Sequence, residues 1–152
     1  MRKLAFTACI LLALPALVFA QTVNPVKWDF TAKKISEKVY EVHLKATIEP
    51  GWHIYAQDAG EGPVPTSFTF TKNPLTTLDG KVREVGKKEK AFDKNFNSEL
   101  KYYEHSVDFV QNVTVRGMVN TQLKGSLEFM VCNDRQCLPP RQEEFALNLS
   151  GK

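Results

Sequence analysis

Polar and apolar residues alternate along most of this chain. In Tyr40-Glu41-Val42-His43-Leu44-Lys45-Ala46-Thr47-Ile48 every even position is apolar or aromatic and every odd one is polar. Successive side chains of a strand point to opposite faces, so this is the signature of a half-buried strand. The same period recurs at Trp28/Phe30, Phe68/Phe70, Val107/Phe109 with Val113/Val115, Leu127/Phe129/Val131 and Phe145/Leu147/Leu149. Turn formers separate these runs: Glu49-Pro50-Gly51, Gly60-Glu61-Gly62-Pro63, Asn73-Pro74, Asp79-Gly80, Asn133-Asp134 and Pro139-Pro140. Helical periodicity never persists beyond a turn or two. The pattern predicts an all-β domain of about seven or more short strands, an antiparallel β-sandwich of immunoglobulin-like type. Residues 85–104 are charged and irregular, which predicts a long loop, or a loop holding one short strand. Such loops inside compact domains are often functional.

The amino terminus departs from this pattern. Met1-Arg2-Lys3 is followed by an apolar run from Leu4 to Ala20, which ends Val18-Phe19-Ala20. A basic start, an apolar stretch and a small-residue end make a secretory signal peptide, so residues 1–20 are expected to be removed and 21–152 to form the mature domain. An uncleaved anchor is the alternative, but the run is short for a spanning helix and carries Pro15. A lipoprotein would need Cys9 as the lipidated residue, and the apolar run continues past it. The expected compartment is the periplasm, with no membrane span after cleavage.

Loss of the signal changes the charge. The whole chain is +3; without Arg2 and Lys3 it holds 18 basic against 17 acidic residues, a net of +1. Such a surface offers no electrostatic reason to bind nucleic acid or anionic lipid. Of three cysteines, Cys9 leaves with the signal and Cys132 and Cys137 remain.

These two carry the candidate chemistry. By alternation Cys132 shares the face of Ser126, Glu128 and Met130, opposite Leu127, Phe129 and Val131, so it is expected to point away from the main core. Four residues, Asn133 to Gln136, lie between the cysteines, enough for a hairpin that brings the sulfurs together. One reading is a structural disulfide, common in exported proteins. Closing so short a loop contributes only about 2 kcal/mol on the chain-entropy model, against nearly 5 for a loop of about a hundred residues. The other reading is a redox pair with accessible sulfurs in a tight loop, with Arg135 favouring a thiolate and Asp134 opposing it. A zinc site using His43, His53 or His105 is a third possibility, weakened by the lack of a second ligand pair.

The segment Cys132-Asn133-Asp134-Arg135-Gln136-Cys137-Leu138-Pro139-Pro140 resembles the active hairpin of the amino-terminal periplasmic domain of DsbD, the thiol:disulfide interchange family. Two further stretches are similar to that family. Gly51-Trp52-His53-Ile54-Tyr55 matches its glycine-aromatic-x-aliphatic-tyrosine strand, and Phe92-Asp93-Lys94-Asn95-Phe96 occupies the place of its cap loop. The resemblance runs from about Trp28 to Leu149. It implies an immunoglobulin-like fold and a relay of electrons from a thioredoxin-like or membrane-embedded reductase to oxidised periplasmic proteins. No cofactor is implied. Carried over residue by residue, it makes Cys132 and Cys137 the redox pair, Cys137 the sulfur of the mixed disulfide and Cys132 the resolving one. Tyr55 and His53 would stand beside the disulfide, Phe96 is the first candidate for the cap ring and Phe92 the second, and Pro139 belongs to the partner-facing end of the hairpin.

Three departures qualify the match. The loop holds four residues where five are usual. His53 stands where a tyrosine is usual, and is expected to be an exposed strand residue rather than a group acting on the thiols. The family's membrane helices and thioredoxin-like domain have no counterpart in this sequence, so electrons are expected to come from a separate protein, or else the relay role to have been lost. The rival reading is a non-catalytic immunoglobulin-like binding module with a stapled hairpin. Trp52 reads as core or rim, and Asp58, Glu61 and Asp93 are not placed by the sequence.

Overall fold

The computed structural model describes residues 24–150. The signal-peptide reading therefore falls outside the described residues. No helix among those described is long and apolar enough to cross a membrane.

Eleven strands are described: β1 (Val26–Lys34), β2 (Val39–Ile48), β3 (His53–Tyr55), β4 (Ser67–Phe70), β5 (Thr76–Val85), β6 (Lys88–Asp93), β7 (Ser98–Glu104), β8 (Ser106–Val115), β9 (Thr121–Phe129), β10 (Val131–Cys132) and β11 (Arg141–Leu149). They form three antiparallel sheets, ordered β1-β2-β8-β5, β11-β9-β4 and β10-β3-β7-β6. The first is one layer of a sandwich. The other two make the opposing layer, joined because β9 runs into β10 with only Met130 between.

The alternating residues fill the space between the layers. Val42, Leu44 and Phe109 from one side meet Leu127, Phe129 and Phe145 from the other, all buried. Aromatic rings tie the layers: Trp28 lies edge-on to Phe129 at 5.3 Å and Phe68 tilts against Phe109 at 4.9 Å. Such contacts add to the area buried, the main favourable term in folding. The inward stripe of β8 contains one polar residue, Gln111. Its amide donates to the carbonyls of Asp79 (3.2 Å) and Asn112 (2.8 Å), next to the register shift in β5 between Asp79 and Arg83. A buried amide with its hydrogen bonds made costs little.

The runs around Trp28, Tyr40, Phe68, Val107, Leu127 and Phe145 are strands as the alternation predicts. Residues 85–104 are a correction. The end of β5 leads into a hairpin, β6 paired with β7 from Lys88↔Tyr103 to Asp93↔Ser98, turning at residues 94–97. Asn97 takes a left-handed backbone (φ 52°) there, which asparagine tolerates.

Candidate functional site: a disulfide under a turn

The third sheet has two working faces. Ile54 on β3, Tyr103 on β7 and Val131 on β10 are in mutual register and point into the main core. Their neighbours by alternation, Tyr55, Tyr102 and Cys132, point the other way and help form a second small cluster with Ala59 and Leu100. Phe96, Met130 and Cys137 pack against it. Cys132 therefore faces away from the main core as the alternation predicts. It is nevertheless wholly buried, and Cys137 partly so, which corrects the expectation of exposed sulfurs.

The cysteines are joined, with Sγ atoms 2.04 Å and Cα atoms 4.1 Å apart. Local hydrogen bonds close the loop between them. Asn133 Oδ1 accepts from the backbone N–H of Arg135 and of Gln136, both at 2.9 Å, and the Asn133 N–H donates to the Gln136 carbonyl at 2.9 Å. An asparagine suits this role because its short side chain mimics a backbone turn. Beyond Cys137, the Leu138 N–H donates to the Val131 carbonyl, so the hairpin stays paired on both sides of the bridge. Asp134, Arg135 and Pro139 are exposed at its end.

The turn at 94–97 covers this cluster. Phe96 lies edge-on to Tyr55 with ring centroids 5.9 Å apart. Gly62, at φ +122°, lets the preceding loop come close: a β-carbon there would stand 2.7 Å from Phe96 Cδ1. Asn95 Nδ2 donates to the Asn133 carbonyl at 3.3 Å, linking the turn to the cysteine hairpin. Phe92 does not join the cluster. Phe92 is 59% exposed, at the rim of a cavity of about 190 Å³ lined also by His53, Asp93, Asn133 and Asp134.

Three polar side chains lie beneath the turn. The Tyr55 hydroxyl donates to Asp93 Oδ2 at 2.6 Å. His53 Nε2 is 3.3 Å from the Tyr55 hydroxyl and 3.7 Å from Asp93 Oδ2. Only 12% of the His53 side chain and 6% of Asp93 is exposed, so His53 is no exposed strand residue, contrary to expectation. Burial lowers the pKa of His53, with the charges of Asp93, Glu104 and Asp134 pulling it back only in part. Burial raises that of Asp93, but the Tyr55 hydroxyl, the N–H groups of Asn95 and Phe96 and the nearby His53 outweigh it, and the carboxyl sits below its ordinary range. Burial and the Asp93 carboxylate both raise the Tyr55 hydroxyl.

Other residues weighed from the sequence lie elsewhere. His43 binds Asp108 at 2.7 Å on the outer face of the first sheet, and His105 is exposed at a left-handed corner (φ 62°). Among the described residues no group of three or more histidine, cysteine or acidic side chains is placed to hold a metal. Asp58 is exposed and bridges Lys88 and Lys101, whose hydrogen bonds lower its pKa to about 2. Trp52 packs against the main core. The Tyr55–Asp93 pair escaped the sequence reading. The one local signal was Asp93-x-Asn95, the spacing at which Asp93 Oδ1 accepts the Asn95 N–H at 2.8 Å.

The fold and site together define an immunoglobulin-like domain carrying a shielded disulfide on a sheet face outside its core. The family model for the thiol:disulfide interchange protein DsbD, N-terminal, matches residues 20–149, and the chain belongs to that family, which takes part in thiol-disulfide exchange. Three solved structures share the fold. The N-terminal periplasmic domain of ScsB from Proteus mirabilis aligns with TM-score 0.60 and 20% identity over 84% of this chain and 47% of that one. The Neisseria meningitidis DsbD N-terminal domain in its reduced form gives 0.56 and 18%, over 80% and 85%. The complex between the DsbD N-terminal and PilB N-terminal domains of Neisseria meningitidis gives 0.51 and 16%, over 83% and 87%. The chain thus spans about half the length of the ScsB chain it matches. No curated protein matches.

Proposed function

We propose that this protein is an exported thiol-disulfide exchange protein of the periplasm, with residues 1–20 its signal peptide and 21–152 its mature domain. Cys132 and Cys137 are its redox pair. In its reduced form the pair passes two electrons to an oxidised envelope protein, and a thioredoxin-like or membrane-embedded reductase restores it. The carrying observation is the position of the disulfide: it lies on the outer face of the third sheet, under the Phe96 turn, outside the main core of the sandwich. A bridge there can open without exposing that core. Cys137, the less buried sulfur, meets the partner; Cys132, wholly buried, resolves the mixed disulfide. Phe96 shields the pair, Phe92, His53 and Pro139 border the surface a partner would cover, and Tyr55 packs beneath it.

The complete burial of Cys132 favours a second reading, a structural staple in a binding module. The reduction potential of the pair, measured by equilibration in glutathione buffers, separates the two. A value of roughly −120 to −270 mV supports exchange, and one below about −300 mV marks a staple.

A further inference from the structure

The small cluster under the turn contains a base whose position the exchange reading leaves unused. Cys132 and His53 stand directly opposite each other in the β10–β3 ladder. Opposed residues project from the same face with β-carbons about 5 Å apart. His53 is thus a cross-strand neighbour of the buried sulfur, itself largely shielded from water. Its environment also fixes which ring nitrogen is basic. The Tyr55 proton is committed to Asp93 at 2.6 Å, so the Tyr55 oxygen accepts from His53 Nε2–H at 3.3 Å. That tautomer leaves the lone pair on Nδ1.

We propose, resting on the exchange reading, that His53 is the proton acceptor for the Cys132 thiol when the mixed disulfide is resolved. The Cys137 thiolate first attacks the client disulfide, forming a Cys137–client bond and releasing one client thiolate. Cys132 then gives its proton to His53 Nδ1. Its sulfur attacks Cys137 Sγ, the Cys137–client bond breaks, and the client sulfur leaves with the electron pair. The Cys132–Cys137 disulfide forms, two electrons have passed to the client, and the proton on His53 goes to the departing thiolate or to solvent. Asp93 and Tyr55 are positioning residues, holding the ring and stabilising its charged form.

The groups facing His53 fit this role. Asp93 at the end of β6, Glu104 on β7 and Asp134 in the hairpin loop all favour the imidazolium once it forms. Tyr55 meets the ring edge-on and Tyr102 tilts against it, at 5.2 and 4.7 Å between centroids. Lys94 is the cation among the residues lining the adjoining cavity. Burial keeps the resting ring neutral and able to accept.

The test follows the reduced protein reacting with an aromatic disulfide reagent that releases a coloured thiolate twice. The first release reports mixed-disulfide formation at Cys137, the second resolution by Cys132. His53→Phe and His53→Gln are expected to lower the ratio of second-phase to first-phase rate about tenfold at neutral pH, a modest share of what a positioned base contributes. They are also expected to move the pH inflection of the second phase upward, and added imidazole should restore part of that phase in His53→Ala. Second phases equal to wild type with an unmoved inflection, or lacking imidazole rescue, would overturn the assignment. If the wild type shows no second release and behaves like Cys132→Ser, the exchange reading itself fails, whatever His53 does.

Discussion

The two buried clusters of this domain are built from different materials. The main core, between the sandwich layers, is mostly aliphatic and aromatic, from Val42 and Leu44 to Phe129 and Phe145, with Gln111 its polar member on β8. The cluster on the outer face of the third sheet is small, with Tyr55, Ala59, Leu100 and Cys132 wholly or nearly buried, and His53 and Asp93 at its margin. The first holds the chain together, since burial of apolar area scales with the number and size of the side chains involved. The second is smaller and confines titratable and oxidisable groups. Stability and chemistry are thus separated by one sheet, whose two faces serve them in turn.

Substitutions on either side of the sheet should therefore fail in different ways. The largest effect falls on the cysteines: Cys137→Ser should abolish disulfide transfer, and Cys132→Ser should accumulate mixed disulfides with partners, visible on non-reducing gels. Trapping by Cys137→Ser with none by Cys132→Ser would reverse the roles. Next comes the contrast between two phenylalanines. Phe129→Ala in the main core should cost about 3–5 kcal/mol in denaturant unfolding. Phe96→Ala should cost on the order of 1 kcal/mol, given its partial exposure, yet raise the rate at which glutathione reduces the disulfide several-fold. Equal losses of stability would erase the distinction between the clusters.

The smallest effect is on pH. The folded state lowers the pKa of His53 from its ordinary 6.5 and that of Asp93 from its ordinary 3.8. In both cases the unfolded chain binds protons first as pH falls, so stability drops with falling pH. The His53 contribution is present above about pH 6.5 and fades below it; the Asp93 contribution is lost below its ordinary value, as pH falls through the folded one. Thermal melts from pH 7.5 to 3 should show both steps, and His53→Phe should remove the upper one. A melting temperature flat from pH 7 to 5 in the wild type would contradict the burial of a neutral ring.

The sequence made the sandwich legible where one face of a strand is buried and the other wet. That holds for β2, β8, β9 and β11, where period two follows directly from burial. It does not hold for β5, an edge strand with every residue at least partly exposed. Nor does it hold for β7, where Leu100 and Tyr103 are buried on opposite faces, so that apolar residues fall on both parities. The hairpin of residues 88–104 therefore looks in sequence like a loop, or a loop holding one short strand. The cysteine pair was legible because six consecutive residues carry it. The Tyr55–Asp93 bond was not, since it joins residues 38 apart. The burial of His53 is hidden from sequence for a related reason: a polar residue at an outward position looks solvent-facing unless the covering turn is known.

The continuity of β9 into β10 has a mechanical consequence. Leu127, Phe129 and Val131 anchor that chain in the sandwich, and Cys132 is the next link. The Cys132 sulfur is thus the fixed jaw of a clamp, one residue from the main core. The other jaw is the turn at 94–97, tethered to the cysteine hairpin through the Asn95–Asn133 hydrogen bond. On the proposed exchange reading, a partner would reach the disulfide by lifting the turn.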